Sequence, residues 1–291
     1  MMNIRRVQIQ QERTKLTPVE KFNPLKSSAA SRKIKSAKGG KRRAEIEEIT
    51  FETVKQDAIR MGLATDVLYQ MSAGKEASIF LAVWKDHPIV LKAYRIWHSS
   101  HAMSKSSGFQ PQASSKRTYS ALHMMENFAV VEYDLLMRCF RAGMRVPTPI
   151  GRVCNYLTMR LIGDERVPAP QLKDVSLDNP DVVLDQILDD YLVMYRDVHY
   201  VHGDLSEYNV LWWENRPWII DVPQGYKVGV HCDMLMAEKL LKRDIRNLLA
   251  HFKSYGIRRN IDEILDVFLS AYIPANQKYY RELVPQGGEL L

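Results

Sequence analysis

Cysteine is scarce in this chain. Cys139, Cys154 and Cys232 are the whole complement. They are far apart and odd in number, which excludes a disulfide framework and a cysteine metal cluster. A reducing cytoplasm is the compartment expected. Long apolar runs are missing as well. Nothing approaches the roughly 18 to 20 consecutive apolar residues of a membrane span, so no membrane partner is expected. The opening MMNIRRVQIQQERTK has no apolar h-region, so no signal peptide is expected either. No internal repeat is visible.

What the chain does have is positive charge and two contrasting halves. Its 291 residues suffice for one two-lobed enzyme or two small domains, and the formal net charge is +7. Much of the excess sits in Ser31–Arg43, SRKIKSAKGGKRR. Such a run either tracks phosphates, with salt-sensitive binding, or is a solvated tail; composition leaves both open. Residues 1–43 read as a flexible basic arm. Glu45 to Met61 fits a helix or two, ending near Gly62. The runs VLYQM, ASIFLAVW and PIVLKAYRI, broken by SAGKE and KDH, predict three antiparallel strands. Ser-rich residues 98–117 have no apolar period and read as a mobile loop. Tyr119 to Ala142 returns to helical spacing and closes at Gly143. RVPTPIG is extended, and Val153 to Ile162 reads as a strand pair turning at Asn155. The rest is mainly helical: about Asp181–Val201, Met234–Tyr255 and Ile261–Tyr272, with short strands NVLWW and PWIID between the first two. A strand-rich half before a helix-rich half predicts an α+β fold: an N-terminal part over 44–162 and a C-terminal part over 163–291.

The chemistry gathers in His202-Gly-Asp-Leu-Ser-Glu-Tyr-Asn209 and in Trp218-Ile-Ile-Asp221. Phosphoryl transfer asks little covalent help of a protein. It needs a carboxylate to orient and deprotonate the attacking hydroxyl, and oxygen ligands that hold magnesium against phosphates. H-x-D-x-x-x-x-N offers both, with Asp204 as base and Asn209 as metal ligand. Asp221 adds the charged ligand. Each piece alone has an ordinary reading as a turn, a cap or a strand-end carboxylate; the joint spacing is what carries the assignment. Ser72-Ala73-Gly74-Lys75-Glu76-Ala77-Ser78 is a hairpin whose backbone N–H groups can approach phosphate, with Lys75 adding charge. It is not a Walker loop, and a plain turn is the competing reading. Lys92 lies inside the apolar run IVLKA, where an ammonium needs a partner. Phosphates and a helix carboxylate, Glu132 or Glu126, are candidates. Glu132 is preferred as the deeper of the two, flanked by Val131 and Tyr133. The alternative for Lys92 is the solvated face of an edge strand.

Together these segments resemble the RIO family of atypical serine protein kinases, and its type-1 branch in particular. SAGKEAS, IVLKAYRI, AGMRVPTPIG, MRLIGDERVPAPQLKD, VHGDLSEYNVLWW, IIDVPQG and LLKRDIRNLLAHF run in family order from about Leu68 to Phe252. HGDLSEYN and IGDERVPAP are the specific ones. The resemblance implies a two-lobed protein-kinase-like fold with an antiparallel N-lobe sheet plus helix and a reduced, mainly helical C-lobe. It implies ATP with Mg2+, or Mn2+ in its place. Ser72–Ser78 is then the phosphate loop, Lys92 pairs with Glu132, and Met159, Arg160, Leu161 and Ile162 are the hinge that reads adenine through backbone groups. Asp204 is the catalytic aspartate; Asn209 and Asp221 hold the metal. The loop at 98–117 matches one that relatives autophosphorylate. Ser206 stands where many serine kinases have lysine, and no Ala-Pro-Glu segment follows Asp221; the RIO pattern shares both traits. Arg160, at a position usually acidic, and Pro223-Gln224-Gly225, in place of Ser-Gln-Ser, depart from it. The implied role is maturation of the small ribosomal subunit, with its precursor or proteins as partners; the basic balance of the chain is compatible with rRNA contact through the arm. An ATPase-driven factor with incidental kinase activity is a second reading. A small-molecule kinase of the aminoglycoside or choline type, which also uses HGDL, is a third; the short tail and VPAP argue against it.

Overall fold

The computed structural model describes residues 50–74, 77–94, 121–222 and 225–280, the side chains of 121–127 excepted. The basic arm, the loop at 98–117, Lys75, Glu76, the Glu126 side chain and Pro223-Gln224 lie outside them. The described residues fall into two compact units. The first takes 50–94, 121–129 and 151–158; the second takes 130–150 and 159–280. Among the described residues no helix is long and apolar enough to cross a membrane.

The first unit opens with α1 (Phe51–Arg60). Its N-terminus is a reciprocal cap. The Thr53 amide donates to Thr50 Oγ1 at 3.2 Å, and the Thr50 amide donates to Thr53 Oγ1 at 2.9 Å. Val54 and Ala58, four apart, form its buried stripe. The strands β1 (Asp66–Ala73), β2 (Ala77–Trp84) and β3 (His87–Tyr94) follow as expected. Then come α2 (Ala121–Arg141), which runs on into the second unit, and β4 (Pro149–Val153) and β5 (Tyr156–Arg160). The sheet order is β1-β2-β3-β5-β4. Val54, Ala58, Phe80, Leu91 and Tyr156 lie in one core cluster. Each large side chain there contributes about 1.5–3 kcal/mol by leaving water.

The strand pair begins at Pro149, ahead of the Val153 start that the sequence predicts. The turn is at Cys154-Asn155, with Cys154 at φ +49°. Asn155 anchors it: its Nδ2 donates to the Tyr94 carbonyl at 2.8 Å, and its own carbonyl accepts from the Tyr94 amide at 2.9 Å.

The second unit is mainly helical. The short pair β6 (Gly163–Asp164) and β7 (Val167–Pro168) leads to α3 (Pro180–Val193), with proline at its first turn. The sequence predicts one helix to Val201. Instead α3 widens into a π turn over Met194–Val198. It stops at His199, whose φ of +61° is left-handed. Tyr200–Val201 is β8, a strand paired with β11 (Tyr226–Lys227). Apolar spacing alone cannot reveal this reversal, because the same residues stay buried on either path. Next come β9 (Val210–Trp213) and β10 (Arg216–Ile219), an antiparallel hairpin. Then follow α4 (Met234–Phe252), capped by Asp233, and α5 (Ile261–Ala271), capped by Asn260. Phe268 packs its ring against Tyr191 and Tyr195, with centroids 5.3 Å and 5.8 Å apart. Both pairs are tilted, as the ring quadrupoles prefer. Arg145 Nε reaches the buried Asp190 carboxylate at 2.8 Å. Burial pushes that carboxyl up to about 6 against the pull of the guanidinium.

Candidate active site

The loop after β8 is anchored by its neighbours and exposed at Asp204. His202, Gly203 and Leu205 are buried, while Asp204 between them is exposed. Asn209 closes the loop. Its Nδ2 donates to the Asp204 carbonyl at 2.7 Å and lies 3.3 Å from Asp204 Oδ2. With the amide nitrogen so engaged, Oδ1 is the atom left to act as a ligand.

Asp221 belongs to the same cluster through backbone bonds. The Ile220 amide donates to the Asn209 carbonyl at 2.9 Å, and the Ile220 carbonyl meets His202 Nε2 at 3.1 Å. Residues 202, 209 and 220 therefore tie three passes of chain together. Asp221 sits two residues beyond the end of β10 rather than on it, exposed and at φ +60°. That left-handed backbone is uncommon for a residue with a Cβ. The Asn209 amide oxygen and the Asp221 carboxylate are both hard oxygen donors, the kind that magnesium takes.

A residue that the sequence reading passed over holds this loop in place. Asp244, fully buried on α4, accepts at Oδ2 from the Gly203 amide at 2.7 Å and from the Tyr191 hydroxyl at 2.7 Å. Arg243, beside it, donates to the Gly203 carbonyl, and Asn247 Nδ2 reaches the Leu205 carbonyl at 3.4 Å. Burial pushes the Asp244 carboxyl above the usual range, opposed by the His202 ring, the Tyr191 and Gly203 hydrogen bonds and Arg243. Burial, with Asp244 beside it, pushes the Tyr191 phenol well up. A signal was available: in LLKRDIRNLL, Asp244 stands in the inward stripe with Leu240, Leu241, Ile245 and Leu248. An acid on a core face needs fixed donors. Asp244→Ala strands a buried amide and a buried hydroxyl, at about 1–3 kcal/mol each. We expect urea unfolding to show a loss of roughly 2–6 kcal/mol, against about 1 kcal/mol for Tyr191→Phe.

In the first unit, β1 and β2 form the hairpin expected of Ser72–Ser78. Ala73 pairs with Ser78, and the Gly74 amide donates to the Ala77 carbonyl at 2.9 Å. Ser72, Ala73 and Gly74 are exposed; Ala77 and Ser78 are buried. Lys92 is on an interior strand, 6% exposed, with Nζ 5.2 Å from the Tyr94 ring centre. The edge-strand alternative for Lys92 is thus excluded. Glu132, 1% exposed, lies on the part of α2 that belongs to the second unit. The hinge candidates Met159 and Arg160 end β5; Leu161 and Ile162 follow it, both buried. The Ile162 carbonyl accepts from the Ala169 amide at 2.9 Å. Arg160 is exposed, with its guanidinium 5.0 Å from the ring centre of Trp213 and 5.8 Å from that of Trp218.

The sequence pattern of the RIO domain matches residues 78–264, well over half of the chain. The chain belongs to the RIO family. It is similar to the RIO-type serine/threonine-protein kinase Rio1 of Thermoplasma acidophilum, 41% identical over 46% of this chain and 67% of that one. The Rio1 kinase of Haloferax volcanii is 31% identical over 67% of this chain and 66% of that one. The fold matches a crystal structure of Rio2 kinase from Chaetomium thermophilum, described as an ADP/Mg2+-phosphoaspartate complex. That match has a TM-score of 0.57 at 21% identity and covers 79% of this chain and 75% of that one. The chain is thus a protein kinase of the RIO type, in the type-1 branch, with the expected α+β fold of the two-lobed kinase class.

Proposed function

We propose that this RIO chain transfers the γ-phosphoryl group of ATP to a serine or threonine hydroxyl with magnesium as cofactor, and that it acts in maturation of the small ribosomal subunit. The observation that carries the reading is the Asn209 amide nitrogen held on Asp204, with the Ile220 amide, one residue before Asp221, bonded to the Asn209 carbonyl. Asp204 accepts the proton of the attacking hydroxyl and orients its oxygen toward the γ-phosphorus. The new P–O bond forms as the bond to ADP breaks. Asn209 and Asp221 would hold the magnesium, which supplies charge neutralisation along the phosphates. Lys92 is assigned to the phosphates with Glu132 as its carboxylate, Ser72–Ser78 to the phosphate loop, and 159–162 to adenine. The proposed partners are a small-subunit precursor or its proteins, with rRNA contact through the basic arm, in the cytoplasm.

A second reading has one observation in its favour: the Rio2 relative is described with a phosphoaspartate. Here Asp221 would accept the phosphoryl group itself, and its hydrolysis would drive a binding factor on the pre-ribosome. One assay separates the two. The purified chain is incubated with γ-labelled ATP and magnesium, with and without small-subunit particles. Acid-stable label on serine is the expected result. Hydroxylamine-labile label, or free phosphate that rises with the particles, supports the ATPase reading instead. Neither label nor free phosphate would overturn both.

A further inference from the structure

The hinge candidates are gripped at both ends by one side chain. Trp213, the last residue of β9, carries the Arg160 guanidinium over its face at 5.0 Å, and its Nε1 donates to Asp164 Oδ1 at 3.1 Å. Arg160 and Asp164 flank Leu161–Gly163, so a single indole spans that segment. Trp218 backs the arrangement, its ring centre 5.8 Å from that of Trp213 and 5.8 Å from the guanidinium.

The contact continues toward the metal-ligand candidates. The Trp212 amide donates to the Pro170 carbonyl at 2.9 Å, Gln171 bridges Leu211, and Gln171 Nε2 donates to the Tyr208 carbonyl at 2.8 Å. Chain that leaves the hinge therefore runs along β9 as far as the residue before Asn209. Gly163, at φ +145°, opens β6 within the grip, and a Cβ there would strike the Val167 carbonyl. Only glycine adopts that backbone without strain.

We infer that the Arg160–Trp213–Asp164 clasp positions the hinge for its nucleotide, and that Arg160 is a positioning residue which sets how tightly adenine is held. A guanidinium stacks flat on an indole, whereas a carboxylate at the same place would meet the negative ring face. The arginine thus goes with the tryptophan pair. The inference rests on the nucleotide reading above and adds to it a connection between the adenine end and the strand that follows Asn209.

The test uses the full chain and measures ADP affinity by calorimetry, in EDTA and again with magnesium, alongside KM and kcat for ATP. Arg160 is exposed, so Arg160→Ala should fold. Loss of one cation–π contact predicts about three- to tenfold weaker ADP binding, equal in EDTA and in magnesium, a matching rise in KM, and kcat within about twofold. Arg160→Lys, which keeps a cation over the ring, should recover part of the loss. Trp213→Phe, which keeps a ring but loses the N–H to Asp164, should fall between wild type and Arg160→Ala. If wild type binds ADP and Arg160→Ala binds it equally well, the clasp has no positioning role. A fall in kcat at unchanged affinity would overturn it too. If wild type binds no ADP in either buffer, the nucleotide reading itself fails and takes this one with it.

Discussion

Asp204→Ala should lower phosphoryl transfer by about 10²–10⁴-fold, the usual contribution of a positioned general base. Asp204 is exposed, and its carboxylate carries no load in the buried network; that load falls on His202, Gly203 and Asp244. The variant should therefore unfold at the same urea concentration as wild type and bind ADP with unchanged affinity. Asp204→Asn sharpens the test. It keeps the side chain's size but cannot accept the proton, so it should be almost as slow as the alanine variant. The measurement is initial velocity with γ-labelled ATP at saturating nucleotide, where a loss of kcat is separated from a loss of binding. A variant within about tenfold of wild type would remove Asp204 from the chemistry.

Asp221→Ala should act on a different quantity. It should abolish turnover and also erase the gain in nucleotide affinity that magnesium brings, while affinity in EDTA stays the same. Calorimetric titration of ADP in the two buffers reads this directly. Backbone strain complicates the alanine, because Asp221 stands at φ +60°. A residue with a Cβ costs about 1–2 kcal/mol in that region, and asparagine tolerates it better than alanine. Asp221→Asn is therefore the cleaner probe, since it keeps the turn and removes the charge. It should also eliminate any hydroxylamine-labile label, because an amide cannot form the acyl-phosphate. Undiminished magnesium dependence in both variants would place the ligand elsewhere.

The two effects differ because the two carboxylates are held differently. Asp204 emerges from a loop pinned beneath by buried polar bonds, whereas Asp221 follows a strand end in a left-handed backbone conformation. Asp244 is the link between them and the helical core: its Oδ2 holds the Gly203 amide, and the neighbouring His202 meets Ile220.

Much of this was legible in the residues. The three N-terminal strands announce themselves because apolar, β-branched runs of strand length are separated by turn residues, and strand pairing there is between neighbours in sequence. Asp204 and Asn209 are legible for a similar reason: they lie in one short loop, so spacing already constrains their separation. The helix reading failed at Tyr200–Val201 because burial there is compatible with helix and strand alike, and a left-handed His199 decides between them. Lys92 left an edge strand open as an alternative because sheet order is not a local property; β5, far downstream in the chain, is what covers β3.

By itself the sequence determined the α+β order of elements and the family, and it named the residues proposed for phosphoryl transfer. These are statements about spacing and side-chain type, which a linear pattern records. Only the tertiary structure decided which carboxylate is buried and which is exposed, that Asp244 anchors the Gly203 amide, and that Arg160 and Asp164 meet on Trp213. Those depend on chain segments distant in sequence being brought within hydrogen-bond or stacking distance, and contacts of that range follow from how the whole core packs rather than from any local pattern.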